Sequence, residues 1–331
     1  MQNRHDLSDE QWARLEPLLP DRTPIRGGRW VDHRRVVDGV LWRTRSGSAW
    51  RDLPECYGNW KTVYNRHRRW SGDGTWQRVL SMLRADCGHG DVGEWALGVD
   101  ATVIRAHHHA AGARHEPPKD IPAAVLASVV LEAPSRPSKT QGALSNYKNS
   151  ADRPPPVVDR EGLGRSRGGV TTKIHMAADS KCRPVGRVIS AGQRHDALAF
   201  TAVLADIRIV RGRDGRPRTR PDRVLADKAY SSGRIRKSLR RRGIKATIPE
   251  PVNQINGRLS KGSRGGRPPK FDKEIYKDRN TVERTFNRLR GYRAVATRYD
   301  KREFVYRGTV DVASIGIWLR HLTENDPRDT P

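Results

Sequence analysis

The chain has 331 residues, a length that favours two domains. Lys and Arg number 64 and Asp and Glu number 37, so the formal net charge is +27. This surplus indicates a polyanionic partner, and we expect nucleic acid rather than an acidic membrane surface. No apolar run approaches the ~20 residues of a membrane span, and the polar start is unlike a signal peptide, so we expect a cytoplasmic, nucleoid-associated protein. The three scattered cysteines form no C-x-x-C pair, which argues against a structural zinc site.

Residues 1–90 are predicted to form an all-α DNA-binding domain. Ser8 and Gln11 have the spacing of a capping box, and apolar side chains at helical spacing predict two further helices, over about 32–45 and 59–70. The turn-rich linker between them favours a helix-turn-helix-like arrangement, with a plain three-helix bundle as the alternative. The basic face of the third helix is predicted to contact DNA through Lys61, Asn65, Arg66, Arg68 and Arg69.

Residues 91–325 are predicted to form a catalytic α/β domain. Runs of β-forming residues predict strands over 95–104, 171–178, 185–190, 223–226 and 245–248, with helices opened by Asp196 and by Ser231 or Ser232. Three strands, a helix, a strand, a helix and a strand indicate a mixed sheet. A proline-rich stretch, 117–160, interrupts this pattern, and we interpret it as a disordered insertion.

Two aspartates follow apolar runs that read as buried strands. Asp100 ends the run from Trp95 to Val99, and Asp227 ends the run from Val224 to Ala226. A carboxylate at the end of a buried strand is costly unless it has a partner, and two such carboxylates side by side repel each other. A bound Mg²⁺ ion removes that repulsion, whereas the alternative is that each aspartate begins a turn or caps the next segment. The occurrence of two in a strongly basic chain favours the metal.

A third carboxylate, Glu283, lies in a helix predicted over about 273–290. Tyr276, Arg279, Glu283 and Arg290 are spaced so that they project along one side of this helix. One carboxylate between two guanidiniums and a phenol suits a site that binds both metal and DNA phosphate. The alternative is a ladder of surface ion pairs.

Together the three carboxylates predict a site for two Mg²⁺ ions roughly 4 Å apart, with Mn²⁺ able to substitute. Asp100 is expected to bridge the ions, and Glu283 to orient the nucleophile. His107, His108 and His109 follow the first strand directly. We interpret them as exposed or phosphate-facing, because hard Mg²⁺ prefers oxygen ligands.

Three blocks of the sequence resemble the DDE transposases of bacterial insertion sequences, specifically the insertion-sequence-four/five superfamily. The first block is Gly98-Val99-Asp100-Ala101-Thr102-Val103, and the second is Leu225-Ala226-Asp227-Lys228-Ala229-Tyr230. The third, Tyr276-x2-Arg279-x3-Glu283-x6-Arg290, follows the family's Y-x2-R-x3-E-x6-K signature, except that Arg290 stands where the family has Lys. Segments 164–175 and 192–196 and the helical block 7–70 are also similar to the family, so the likeness covers nearly the whole chain apart from 117–159.

The resemblance implies an RNase H-like fold whose catalytic and metal-binding triad is Asp100, Asp227 and Glu283. It implies cleavage at the terminal inverted repeats of an insertion sequence, after which the freed 3′-hydroxyl attacks target DNA in one transesterification step. It also implies double-stranded DNA as partner, both as element ends and as target, and a homodimer or a higher synaptic complex. Two alternatives stay open: a catalytically silent or domesticated DNA-binding protein, and a nuclease on the same fold that leaves cut ends unjoined.

Overall fold

The computed structural model describes residues 5–23, 30–85, 94–113, 121, 160–166, 168–211 and 215–323. The predicted insertion, 117–160, lies outside these residues except for Ile121 and Arg160, and so does the predicted domain boundary near residue 90.

The N-terminal part of the chain is helical, as predicted. It contains α1 (Asp9–Leu15), α2 (His33–Ser46), α3 (Trp60–Gly72) and α4 (Thr75–Ala85). The capping box at Ser8 is confirmed, because its side chain accepts from the Gln11 amide while the Gln11 side chain accepts from the Ser8 amide. Two 3-10 turns, Trp50–Asp52 and Glu55–Tyr57, fill the connection between α2 and α3. This connection is longer than the turn of a few residues that joins most helix-turn-helix pairs.

The second part of the chain is built on a mixed sheet. Its central strand β1 (Ala96–Ala106) lies between β3 (Gly169–Ala178), which is antiparallel to it, and β7 (Arg223–Ala226), which is parallel to it. β4 (Pro184–Ala191) pairs antiparallel with β3, and β8 (Lys245–Thr247) pairs parallel with β7. The strand order β4-β3-β1-β7-β8 confirms the predicted RNase H-like sheet.

Short strands complete this architecture. β2 (Gly164–Ser166) pairs with the start of β3, and β9 (Thr297–Arg298) pairs with the end of β1. β5 (Ile209–Arg211) and β6 (Gly215–Arg218) form a separate hairpin. Almost every residue of β3 and β4 is buried, because helices cover both faces of the sheet.

The remaining helices are α5 (His108–Ala111), α6 (Phe200–Ala205), α7 (Gly233–Arg241), α8 (Val252–Leu259), α9 (Lys273–Lys277), α10 (Asn280–Arg290), α11 (Arg293–Ala296) and α12 (Glu303–Leu322). The single helix predicted over 273–290 is therefore two helices, α9 and α10. Hydrogen bonds of 3-10 type, from the Arg279 amide to the Tyr276 carbonyl and from the Thr281 amide to the Asp278 carbonyl, tighten the chain between them.

Helix α12 joins the two parts of the chain. Its residues 304–319 are all buried, which is expected of a helix that is surrounded on every side. It packs against α2, α3 and α4 and also against β4 and α10. One hydrophobic cluster accordingly runs from Trp76 of α4 through Trp318 of α12 to Phe200 of α6. Among the described residues, no helix is long and apolar enough to span a membrane.

Candidate active site

Asp100 lies where one neighbour of the central strand ends. β1 pairs with β7 only over Ala96–Val99, so Asp100 is the first residue past that pairing. The interpretation of Asp100 as lying at the end of a strand is wrong, whereas the strand predicted over 95–104 is present, because pairing with β3 carries β1 through Asp100 and on toward Ala106. The Asp100 Oδ1 accepts a hydrogen bond of 2.8 Å from the Ala101 amide.

Asp227 follows the adjacent parallel strand. Val99 of β1 is in register with Ala226 of β7, so Asp100 and Asp227 leave the paired region at the same level of the sheet. The Asp227 Oδ1 accepts from the Ala229 amide at 2.8 Å and thereby caps a 3-10 turn, Lys228–Tyr230. Asp227 therefore caps a turn and also lies close to Asp100.

Arg279 connects the third carboxylate to the first. Its Nη1 donates to the Asp100 Oδ2 at 3.1 Å, and its Nη2 donates to the Glu283 Oε1 at 2.5 Å. Glu283 lies in the first turn of α10, with about half of its side chain exposed, while only 20% of the Arg279 side chain is exposed. The Tyr276 ring lies beside the same guanidinium, with 5.7 Å from the Arg279 Cζ to the ring centroid. The structure thus brings Tyr276, Arg279, Glu283 and Asp100 together.

The electrostatics of the site reflect an excess of negative charge. Burial raises the pKa of Asp100, and the carboxylates of Asp227 and Asp196 raise it further, against the opposing effects of the Ala101 amide and Arg279. Burial acts to lower the pKa of Arg279, but Tyr276, Glu283 and Asp100 outweigh it, so the pKa of this guanidinium is raised. The carboxylates therefore need a cation beside them, and Arg279 supplies one.

The donor set fits a hard divalent cation. Asp100, Asp227 and Glu283 offer only carboxylate oxygens, which are the ligands that Mg²⁺ and Mn²⁺ prefer. The oxygens of the three carboxylates do not converge on one point. Among the described residues, the group of metal-binding side chains that does converge is His107, His108 and His109, whose ligand atoms all lie within 4.8 Å of one another. The Arg279 guanidinium occupies the space between Asp100 and Glu283, which accounts for their separation.

Arg290 lies on the same side of the sheet as Asp100. Its Nη2 donates to the Thr102 hydroxyl at 2.6 Å. Thr102 follows Asp100 by two residues on β1, so both side chains project from one face of the strand. The Arg290 side chain is thereby held near the carboxylates while the residue stays exposed.

Comparison with known proteins decides the family. Residues 92–308 match the family model described as a transposase DDE domain, and residues 7–80 match that of a putative transposase of the IS4/5 family. The chain belongs to the DDE transposase family. Its domain implies the use of divalent metal ions.

Two relatives of this chain are themselves named as putative transposases of insertion sequence elements. It is 30% identical over 158 residues to the putative transposase of insertion element IS402 from Burkholderia cepacia, which is 45% of this chain and 67% of that protein. It is 28% identical over 151 residues to the putative transposase of IS6501 from Brucella ovis, which is 46% of this chain and all of that protein. The pre-cleavage Mos1 transpososome aligns with 91% of this chain and 82% of that chain, at 11% identity and a TM-score of 0.21.

The helix predicted to contact DNA is α3 of the transposase, and its basic residues differ in exposure. Lys61, Asn65 and Arg69 are exposed, and Arg68 is half-buried over the Phe304 ring. The prediction that Arg66 lies on this exposed face is wrong, because Arg66 is only 7% exposed.

The interior position of Arg66 has a clear cause. Its Nη1 donates to the His33 Nδ1 at 2.9 Å, and its guanidinium carbon lies 4.0 Å from the centroid of the Trp30 ring. Burial, together with the positive charges of Arg69 and Arg22, lowers the pKa of Arg66 to about 10. Arg66 therefore belongs to the interior of the helical part of the transposase and not to its exposed basic face.

Two polar residues near the carboxylates, Lys173 and Tyr230, were missed by sequence reasoning, and a third, Asp196, was predicted only as a helix cap. Lys173 donates to the Asp196 carboxylate at 2.8 Å, so the prediction that Asp196 caps a helix is wrong, and the His195 side chain provides that cap. Tyr230 is buried, and its hydroxyl has no hydrogen-bond partner in the described structure. All three residues fall in segments similar to the family, but only the fold reveals that they lie near Asp100.

The histidine run lies at the other end of β1 from this site. The three rings contact one another, with centroids 4.0–4.5 Å apart and the His109 ring edge-on to the other two, and His107 also contacts the Tyr299 ring. His108 and His109 are exposed, as predicted.

Proposed function

We propose that the transposase cleaves DNA at the terminal inverted repeats of an insertion sequence and joins the freed 3′-hydroxyl to target DNA. The observation that carries this proposal is that the Arg279 guanidinium links Asp100 to Glu283, while Asp227 leaves the adjacent strand at the same level of the sheet as Asp100.

The proposed cofactor is Mg²⁺, as two ions, with Mn²⁺ able to replace it. Asp100, Asp227 and Glu283 would hold the ions, with Asp100 shared between them because it lies between the other two carboxylates. Bound there, the ions lower the pKa of the attacking hydroxyl and stabilise charge on the phosphodiester.

The remaining site residues bind and orient the DNA strand. Arg290, anchored on Thr102, offers its free guanidinium nitrogens to a phosphate next to the scissile bond. Arg keeps the positive charge of the family's Lys and adds a planar pair of donors. Tyr276 and Arg279 form the opposite wall of the same site and contact the phosphate on its other side.

Two phosphoryl transfers give the product. In the first, a water oxygen bonds to phosphorus at the element end, and the 3′-oxygen leaves and takes up a proton. In the second, that 3′-oxygen bonds to a target phosphorus, loses its proton, and displaces the 3′-oxygen of the target strand. The second step replaces one phosphodiester by another and needs no external energy source.

End recognition is assigned to residues 1–90, and catalysis to residues 91–325. The exposed side chains of Lys61, Asn65 and Arg69 on α3 contact the terminal repeat. Each element has two ends to be joined in concert, so the active form is a dimer or larger synaptic complex on DNA of the nucleoid.

A joining assay separates this function from its alternatives. The full chain is incubated with labelled duplex carrying the DNA that flanks its coding sequence, a target plasmid, and either Mg²⁺ or a chelator. We expect joined products with Mg²⁺ and none with chelator or with Asp100→Asn. Cut but unjoined ends would identify a nuclease, and binding without cleavage would identify a silent DNA-binding protein.

A further inference from the structure

The outer side of α7 forms a second basic surface, distinct from α3. We define the α7 surface by four exposed side chains, those of Arg220, Lys237, Arg240 and Arg241. Ile235 and Leu239 on the inner side of the helix are buried in the core, which fixes the direction in which the basic side chains point. Nothing in the proposed active site uses these residues.

Lys245 pairs with Glu94, but the positive charge of the α7 surface itself is not neutralised within the described structure. Residues 228–249 contain eight Lys or Arg and no Asp or Glu. Within the described structure, the side chains of Lys237, Arg240 and Arg241 make no hydrogen bond or ion pair with protein. At the end of the helix, Arg220 donates to the Arg242 carbonyl, and its charge adds to burial in lowering the pKa of Arg242. Because these positive charges repel one another, a bound polyanion would stabilise them.

The shape and spacing of the surface suit duplex DNA. Residues 234–241 rise by about 10 Å along the helix axis. Duplex DNA carries one phosphate charge per about 1.7 Å of its axis, so several phosphates face such a stretch at once. The side chains are long and mainly guanidinium, which favours contacts to phosphate over the reading of bases.

The position of α7 relates the surface to the catalytic carboxylates. Asp227 caps the 3-10 turn Lys228–Tyr230, and Ser232, two residues beyond that turn, caps α7. The start of α7 therefore lies beside Asp227, and a duplex bound along the helix axis from Arg241 at its other end would point toward the carboxylate site. Helix α3 packs instead against α2 and α12, so the two basic helices lie at different places in the fold.

We propose that the α7 surface binds the target duplex through its phosphates, irrespective of sequence. The assignment to target DNA rests on the proposed function, whereas the binding of duplex DNA by this surface does not. The two claims are therefore tested in separate arms.

The first arm measures binding without metal and without element ends. Wild type and the double variant Lys237→Gln/Arg241→Gln are titrated with a duplex of unrelated sequence in chelator, over a range of salt. Removing two phosphate-binding side chains should reduce the slope of log affinity against log salt by about 2 and weaken binding about tenfold at low salt. Circular dichroism checks the fold, and Gln retains a good helix propensity.

A matched control removes the same charge elsewhere. Arg14→Gln/Arg78→Gln takes two exposed arginines from α1 and α4. We expect its salt slope to equal that of wild type. An equal loss of duplex affinity in both double variants, or no loss in the α7 variant, would show that the α7 surface does not bind DNA. Stronger displacement of the bound duplex by RNA of the same length would assign it to RNA instead.

The second arm supplies Mg²⁺, element ends and a target plasmid. The α7 variant should cut ends within about twofold of wild type while joining to the plasmid falls at least about fivefold, because two of the cations that hold the target phosphates are absent. Equal loss of cutting and joining would overturn the target assignment. If wild type itself cuts nothing, the proposed function fails, but the first arm still decides whether the α7 surface binds DNA.

Discussion

Arg279 acts as the resident cation of the carboxylate site. Its two hydrogen bonds reach the same Asp100 and Glu283 oxygens that a divalent ion would use. A guanidinium and a metal ion cannot share these oxygens at close range, because like charges repel strongly in a partly buried site. We therefore expect metal binding to displace Arg279 from the carboxylates, with a DNA phosphate as its next partner.

Replacing Arg279 by Gln should strengthen metal binding in the absence of DNA. Competition from the guanidinium is removed, so we expect Mn²⁺ affinity, measured by calorimetry at low salt, to rise several-fold, by about 1 kcal/mol or more. Arg284→Gln, an exposed arginine on the same helix, controls for the general loss of positive charge. Equal affinities in the two variants would show that Arg279 does not compete with the ion.

Asp38 gives a residue-scale test of stability against pH. It is 8% exposed in α2, its Oδ1 accepts from the Leu7 amide, and burial raises its pKa to about 6 from an ordinary value of 3.8. The folded state then holds the proton more tightly than the unfolded state, so stability falls as pH rises from about 4 through about 6.

Asp38→Asn should remove this penalty and keep the hydrogen bond acceptor. Thermal unfolding should show the variant more stable than wild type at pH 7.5, by about 3 kcal/mol, with the difference vanishing near pH 4. Asp52→Asn, at an exposed position, should give no such pH-dependent gain. A difference in unfolding free energy between the variant and wild type that stays constant from pH 4 to pH 7.5 would contradict a raised pKa of Asp38 in the folded state.

At the residue scale, candidate site residues can be predicted where their order along the chain forms a pattern. Asp100 and Asp227 stand out because each follows an apolar run, and Tyr276, Arg279 and Glu283 stand out by helical spacing. The burial of Arg66 could not be predicted, because Trp30 and His33 come from an earlier part of the chain. Contacts between residues that are distant in the sequence leave no local sequence pattern.

At the scale of elements, an ion pair joins β4 to α12. The Arg187 Nε and Nη2 donate to the two Asp311 oxygens at 2.8 and 2.6 Å, and both residues are almost fully buried. Asp206 provides a further contact, at 3.3 Å from the Arg187 Nη1. This pair orients the central helix on the sheet.

Arg187→Met should destabilise the protein by about 3–5 kcal/mol, because it leaves the Asp311 carboxylate buried without its partner. Urea unfolding measures the loss. The double variant Arg187→Met/Asp311→Leu removes both charges and should be more stable than the single variant. A single variant within 1 kcal/mol of wild type, on the order of an exposed ion pair, would mean that the pair does not hold β4 to α12.

Element boundaries were harder to predict than element types. The strands and the helical start follow from residue patterns, but β1 continues past its predicted end at residue 104 because β3 and β9 pair with it there. Likewise, the apolar stripe of Val282, Phe286 and Leu289 predicts a helix without revealing the tightened turn before it. Where a strand or helix ends depends on the elements that pack against it, and its own sequence does not show how long those elements are.

At the scale of the molecule, the two functional units that we propose share one core. Trp70 and Trp76 of the helical part and Ile315 and Trp318 of α12 belong to the same hydrophobic cluster. Residues 91–331 expressed alone should therefore expose a large apolar face and aggregate, and co-expression with residues 1–90 should rescue solubility. A soluble fragment with the thermal unfolding midpoint of the full chain would contradict a shared core.

The central claim is that carboxylates from β1, from the end of β7 and from α10 act as one metal-dependent site. The most direct test compares end cleavage by Asp100→Asn, Asp227→Asn, Glu283→Gln and the double variant Asp100→Asn/Glu283→Gln, with end binding measured in parallel. We expect each single variant to lose at least about a hundredfold in cleavage and the double variant to lose no more than the worse single, because residues acting as a unit are not additive. Binding should stay within about threefold, since these residues are not assigned to end recognition. Losses that multiply in the double variant, or a single variant that cleaves normally, would contradict the site.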